Sequence, residues 1–243
     1  MRLFESRDAT PVLTQGHGAR ADLVLTRVAG AAAPAPAAQE PPAPPLPPQP
    51  LPDLPATFIG TLPCADCPGI RYHLNLFSDD SFFLRMTYLE RKVNPFDDLG
   101  SWALSSDRRV LVLKGRGEQP EMFAVSAPGT LRKLDMEGQP IDSRLPYELT
   151  RASVFLPVDV RLPMRGAYSY MADAGIFVEC STGRRWPVAA EAANAELERA
   201  YGAVRSAPGA AVLAELDGLV AQRPKMEGAG TQATLVVEKV GRL

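Results

Sequence analysis

From residue 56 onward, segments typical of short β-strands recur along the chain, and their spacing constrains the fold more than any other feature. Apolar and polar residues alternate over 71–76 and again over 82–88, with a turn-forming Ser-Asp-Asp sequence at 78–80 between them. Further strands are predicted over 101–104, 110–114, 122–125, 131–134 and 145–151. Seven or eight antiparallel strands in about 95 residues indicate a small barrel that closes its own edges.

The last third of the chain has a different pattern. Strands are predicted over 165–171, 176–179 and 185–188, and again over 212–220 and 235–240. Between the two groups, a helix capped at Asn194 would place Leu197, Tyr201 and Val204 on one face. Strands, one helix and strands again suit a five-stranded Greek-key barrel of the OB type. We therefore predict an all-β protein with one barrel domain over 56–152 and a second over 153–243.

Residues 29–55 consist mainly of alanine and proline, and this composition favours an extended, semi-rigid linker. The order of residue types in 1–28 echoes that in 132–152, which indicates an internal repeat. We interpret 1–28 as an orphan hairpin resembling the end of a preceding barrel copy, with chance similarity as the alternative. A truncated or misassigned start would explain such a hairpin.

Charge and hydropathy exclude several classes of function. The net charge of −2 is spread evenly, so no basic surface for nucleic acid is expected. No segment has the roughly 18 consecutive apolar residues of a membrane span. The N-terminus shows no signal peptide and no lipobox cysteine. Membrane association is expected only through a lipid anchor that is not present in this sequence.

The sequence Cys64-Ala65-Asp66-Cys67 carries the most chemical information. Two thiols separated by two residues can close a small disulfide, hold a soft metal ion such as Cu(I), or serve in redox signalling, and the disulfide is the interpretation we favour. A thioredoxin-type site is disfavoured because the motif precedes a strand and not a helix. Asp66 is expected to bond to nearby backbone N–H groups in an Asx-type turn.

Other candidate residues are few. His73 lies on the polar side of the following strand and could join Cys64 and Cys67 as a metal ligand, although a solvated histidine is the simpler interpretation. Cys180 is either a buried apolar filler, which we favour, or a free thiol. Arg184 and Arg185 precede a core Trp186 in what we interpret as a solvated turn. No catalytic pattern is present, so the chain is not predicted to be an enzyme.

The stretch from Ile59 to Ile70, which reads IGTLPCADCPGI, resembles the signature of the N-terminal domain of the NlpE copper-resistance and envelope-stress lipoproteins. Further segments, at 166–173, 179–183, 197–201 and 223–228, resemble the C-terminal OB-type domain of that family. The resemblance covers residues 56 to 243. It implies a small lipocalin-like barrel that is followed by an OB-type barrel.

The resemblance also implies a function. Members of the family are lipoproteins on the periplasmic side of the outer membrane, linked to copper resistance and to signalling of envelope stress to an inner-membrane sensor. We therefore expect a non-catalytic sensor or binding protein, with copper as the only candidate cofactor. The alternatives are a periplasmic Cu(I)-binding protein and a barrel that carries a small apolar ligand. A carrier is excluded if large side chains fill the interior of the first barrel. The side chains that could do so are Phe82, Phe83, Trp102 and Phe123.

Overall fold

The fold is described from a computed structural model, in residues 51, 53–225 and 228–243. The described residues belong to one compact unit. The hairpin predicted at 1–28 and the linker up to residue 50 lie outside the described residues.

The first barrel is an antiparallel meander in which each strand pairs with the next along the chain. It closes where the first strand pairs with the eighth, at Phe58 with Arg151 and at Ile59 with Thr150. The eight strands are β1 (Ala56–Leu62), β2 (Ile70–Leu76), β3 (Ser81–Tyr88), β4 (Phe96–Leu104), β5 (Val110–Lys114), β6 (Glu121–Ala127), β7 (Thr130–Lys133) and β8 (Glu148–Arg151).

Large apolar side chains fill the interior of the first barrel. Successive side chains of a strand point to opposite faces, so alternation in the sequence puts one apolar set inside. Phe58, Leu74, Leu111, Phe123 and Leu149 are completely buried in this core. Full burial contributes about 1.5–3 kcal/mol for each such side chain. The core therefore supplies a large part of the stability of this barrel.

The second barrel also closes, in the strand order β9-β10-β11-β13-β12. Its one parallel contact joins β11 to β13, at Val188 and Leu235, and such a contact needs a crossover connection between the two strands. A helix lies within that crossover. The elements are β9 (Val160–Met171), β10 (Ala174–Glu179), β11 (Arg185–Val188), α1 (Asn194–Val204), β12 (Val212–Pro224) and β13 (Thr231–Val240). The predicted architecture of two barrels and one helix is confirmed for the described residues.

Helix α1 differs in detail from the prediction. Its N-cap is Ala193, and Asn194 is the first helical residue. The Asn194 side chain donates to Glu198 Oε1 at 2.6 Å and caps no backbone group. Leu197 and Tyr201 are buried as expected, whereas Val204 is 52% exposed. Only the first two turns of α1 therefore pack against the barrel.

Strand β9 begins at Val160, well before the predicted Arg165, and includes Pro163. Proline cannot donate a ladder hydrogen bond, so it counts against a central strand. In this barrel Pro163 pairs with Asp217, where the β12–β13 ladder has a bulge. Strand β10 pairs with β9 only from Gly166 onward, so β9 has a ladder partner on one side only at Pro163, and such an edge position tolerates a proline.

The outer face of β3 and β4 packs directly against the second barrel. Phe83 and Leu99 point away from the interior of their own barrel and belong to the core cluster of the second one. There the Phe83 ring lies 6.2 Å from the ring of Trp186. We call this contact, together with residues 155–162 that connect the barrels, the barrel junction. Through this contact, the first barrel contributes Phe83 and Leu99 to the apolar core of the second barrel.

Arg184 of the second barrel also contacts the first barrel. Its guanidinium lies 4.0 Å from the ring centroid of Phe77 and donates to Ser81 Oγ at 3.0 Å. It also forms an ion pair with Asp79 at 3.5 Å, and its side chain is only 18% exposed. The predicted solvated turn is therefore wrong for Arg184, because the other barrel covers it. Trp186 is buried, as expected.

Candidate functional site

The loop between β1 and β2 carries the two cysteines that the sequence singled out. Cys64 and Cys67 form a disulfide, with their Cα atoms 5.3 Å apart. Gly69 then leads into β2, and a Cβ atom at this position would lie 2.5 Å from Thr61 Cγ2. Only glycine fits so close to β1. The carbonyl of Gly69 accepts a hydrogen bond from the Leu89 N–H at 3.0 Å, which ties the loop to the neighbouring β3.

Asp66 lies between the two cysteines and faces Arg91 from the β3–β4 connection. Their side chains form an ion pair, and Arg91 also donates to the Asp66 carbonyl at 3.3 Å. The Arg91 guanidinium lies 5.8 Å from the centroid of the Tyr88 ring. Among the described hydrogen bonds, none joins a backbone N–H to this carboxylate, so the expected Asx-type turn is wrong. Asp66 instead links two loops at one end of the barrel.

Cys64, Asp66 and Cys67 are close enough to hold one metal ion, since their ligand atoms lie within 4.8 Å of one another. The closed disulfide leaves no thiolate, and Cu(I) requires thiolate or thioether sulfur. The loop therefore fits copper only after reduction. His73 is not brought to this group, because its Nε2–H donates to the Leu156 carbonyl at 2.9 Å.

The disulfide should stabilise the fold measurably although its loop is short. Loop-closure entropy predicts that the Cys64→Ser, Cys67→Ser double variant has a free energy of unfolding lower by about 2 kcal/mol. Urea denaturation of the oxidised proteins measures this difference. Cys180→Ser is the matched control and should leave the midpoint unchanged. Equal midpoints for the double variant and the parent would contradict the prediction.

His73 lies on the outer face of β2, where it faces the barrel junction and not the cysteine loop. It pairs across the ladder with Arg85 of β3, and its ring is half-buried beside Leu156. Burial lowers the pKa of His73 below its ordinary value, and the nearby charges of Arg71 and Arg85 lower it further. The folded protein therefore favours the neutral ring.

This shift predicts a pH dependence of stability. The unfolded chain binds a proton at His73 near pH 6.5, whereas the folded chain binds it only at lower pH. The stabilisation is complete above about pH 6.5 and is lost as the pH falls toward the folded pKa. Denaturation of His73→Gln between pH 5 and 7 should show a smaller slope than the parent. His17→Gln is the control, and an equal slope in His73→Gln would refute the assignment.

Cys180 follows β10 at the start of the turn to β11. It is exposed, and no other cysteine of the described residues pairs with it. The favoured interpretation as a buried filler is therefore wrong, and the alternative of a free thiol is the one observed. The burial pattern of β10 explains this. Its inward residues are Phe177 and Glu179, so the next residue points outward.

The side chains inside the first barrel test the alternative that this barrel carries a small apolar ligand. Phe82 and Phe123 are buried in the core, and Trp102 packs against it. Phe83 points to the second barrel and does not fill the first one. The remaining side chains occupy the positions that a ligand would need, which argues against a carrier of apolar molecules.

Family comparisons match both barrels. The model of the NlpE N-terminal domain matches residues 58–144, and the model of the NlpE C-terminal OB domain matches residues 159–243. The lipoprotein NlpE of Escherichia coli strain K12 is 40% identical over 167 residues, which is 68% of each chain.

Two solved structures are also similar. The crystal structure of the Cpx pathway activator NlpE from E. coli is 34% identical and aligns over 76% of this chain and 93% of its own, with a TM-score of 0.33. The second is the crystal structure of a lipoprotein from Shewanella oneidensis, which is 30% identical. It aligns over 42% of this chain and 92% of its own, with a TM-score of 0.37.

In this class of protein, an eight-stranded barrel whose first loop is closed by a disulfide is joined to an OB barrel. The E. coli relative exceeds 30% identity over more than two thirds of its length. The chain belongs to the NlpE family. The resemblance seen in the stretch from Ile59 to Ile70 is therefore confirmed, and so is the OB assignment of the second barrel.

Proposed function

We propose that this protein is a non-catalytic cell-envelope lipoprotein that activates an envelope stress response. The observation that carries this proposal is that both barrels match the NlpE family, the first barrel its N-terminal domain and the second its C-terminal domain. The E. coli member of this family is described as a Cpx pathway activator. The partner would be an inner-membrane sensor of envelope stress. Our proposed location is the periplasmic side of the outer membrane, reached through a lipid anchor.

One structural observation supports a location in the envelope. The Cys64–Cys67 disulfide is of the kind that persists in oxidising compartments. Among the described residues, no helix is long and apolar enough to cross a membrane. Stable anchoring by lipid requires more than one acyl chain or a second signal.

The test is a reporter of the Cpx response in an E. coli strain that lacks its own NlpE. The chain is fused to a lipoprotein export signal and expressed with and without the sensor of the pathway. We expect induction of the reporter that disappears when the sensor is absent. The same chain without the export signal is the control. Absence of induction at equal protein levels in the envelope would refute the proposal.

A second candidate function, copper resistance, is supported by the grouping of Cys64, Asp66 and Cys67 within 4.8 Å. After reduction the two thiolates would hold Cu(I), with the Asp66 carboxylate beside them. The reduced protein is expected to bind one Cu(I) per chain in competition with a chelator of known affinity. Cys64→Ser should abolish this binding and Cys180→Ser should not. Equal binding by the Cys64→Ser variant would exclude the site.

A further inference from the structure

The second barrel contains a cleft of about 360 Å³ between helix α1 and the strands beneath it. Its walls are apolar and come from the start of β10 and the end of β11, including Ile176, Pro187, Val188 and Ala189. A cleft with apolar walls and a few polar groups is the usual form of a small-ligand site. Neither the cysteine loop nor the barrel junction contributes to it.

The polar side of this cleft is formed by Asn194 and Glu198 of α1. The Asn194 residue is 91% buried, since only 9% of its surface is exposed. A carboxylate can only accept, so the bond of 2.6 Å to Glu198 Oε1 fixes the amide with its Nδ2 toward Glu198. The Asn194 Oδ1 then points away from Glu198, and no donor among the described residues bonds to it. Solvent reaches this oxygen, which leaves it free to accept a hydrogen bond from a ligand in the cleft.

The charge of the cleft is negative. Asp173, Glu191 and Glu198 line it together with a single cation, Arg223, which is paired with Glu191 at 3.0 Å. Neither Asp173 nor Glu198 has a cationic partner among the described residues. Burial raises the pKa of Tyr170 on the same wall, and the charges of Glu198 and Asp173 raise it further.

The N-terminus of α1 opposes a cation, because its free N–H groups carry a partial charge of about +0.5. That effect is typically worth 0.3–1 kcal/mol and falls off within the first turn. Two unpaired carboxylates present a larger charge of the opposite sign. The balance therefore favours a cation beside Glu198 and Asp173.

We propose that this cleft binds an alkylammonium group, with the ammonium donating to Asn194 Oδ1 and the Glu198 carboxylate and with the alkyl chain against Ile176 and Val188. A primary amine supplies three donors and one positive charge at the end of an apolar stem. The source of the group is either a free aliphatic amine or the side chain of a lysine residue. This inference is independent of the proposed signalling function.

The test uses the purified full chain and follows its backbone amide resonances during titration with hexylamine. Resonances of Val188, Ala189 and Asn194 should shift, and hexanol, which has the same stem without the charge, should not shift them. We expect Glu198→Gln to weaken hexylamine binding by about tenfold, because the variant keeps the acceptor for Asn194 but removes the charge. Glu196→Gln removes a charge from the same helix outside the cleft and should bind as the parent does.

A parallel titration with N-acetyl-lysine methylamide distinguishes the two sources. Tighter binding of the lysine derivative than of hexylamine assigns the site to a lysine side chain, and the reverse order assigns it to a free amine. Equal shifts with hexylamine and hexanol would overturn the proposal, since the cleft would then recognise only the apolar stem. Unchanged affinity in Glu198→Gln would overturn it as well.

Discussion

Replacing Asn75 with alanine is expected to lower the free energy of unfolding by about 3 kcal/mol, because it leaves several buried polar groups without partners. The Asn75 side chain is fully buried on β2. Its Nδ2 donates to Thr57 Oγ1 at 2.8 Å and to the Leu156 carbonyl at 2.9 Å. Its Oδ1 accepts from the Val158 N–H at 2.9 Å. Alanine removes all three bonds and cannot replace any of them.

Thermal and urea denaturation of Asn75→Ala measure this effect, with Asn94→Ala as the control. Asn94 is exposed in the β3–β4 connection, and its replacement should change stability by less than about 0.5 kcal/mol. The amide resonances of 155–159 should also shift in Asn75→Ala, because this segment loses its attachment to the first barrel. A loss below about 1 kcal/mol would show that water replaces these bonds.

The second large effect is expected at Asp97, on the outer face of β4. Its carboxylate accepts two bonds of 2.7 Å from the Arg85 guanidinium, and Oδ2 also accepts from the Arg161 N–H at 2.7 Å. The bond to Asp97 raises the pKa of Arg85. Because the Asp97 side chain is only 2% exposed, removing it leaves a partly buried guanidinium unpaired. Asp97→Ala should cost about 3–4 kcal/mol.

Denaturation measurements on Asp97→Ala, Asp97→Asn and Asp142→Ala separate charge from packing. Asp97→Asn keeps the shape and one acceptor, so we expect an intermediate loss of stability. Asp142 is exposed, and its replacement serves as the control. If Asp97→Ala were as stable as Asp142→Ala, the ion pair would contribute nothing to the barrel junction.

Alternation in the sequence predicted most of the strands, because each barrel buries one face of every strand. It placed Phe82 on the apolar side of its strand, and this side chain is buried. Phe83 and Leu99 also belong to these strands, but their burial depends on a second barrel that covers the outer face. A pattern within one strand contains no information about that second layer. The contact of Arg184 with Phe77 could not be foreseen for the same reason.

The candidate site was predicted more completely. The spacing of Cys64 and Cys67 was enough to favour their disulfide, since two residues between them allow a closed loop. The position of His73 was predicted only in part. Alternation placed it on the polar side of β2, but its bond to Leu156 joins residues that are 83 positions apart in the sequence. The cleft beside α1 was missed, since its walls come from distant segments.

A map of the thiols in the exported protein shows whether the Cys64–Cys67 disulfide forms in the cell envelope. The chain is expressed with an export signal, alkylated without reduction, and alkylated again with a second reagent after reduction. We expect the first reagent to modify Cys180 alone and the second to modify Cys64 and Cys67. Modification of Cys64 and Cys67 by the first reagent would show that the disulfide does not form in the cell envelope and would contradict the proposed location.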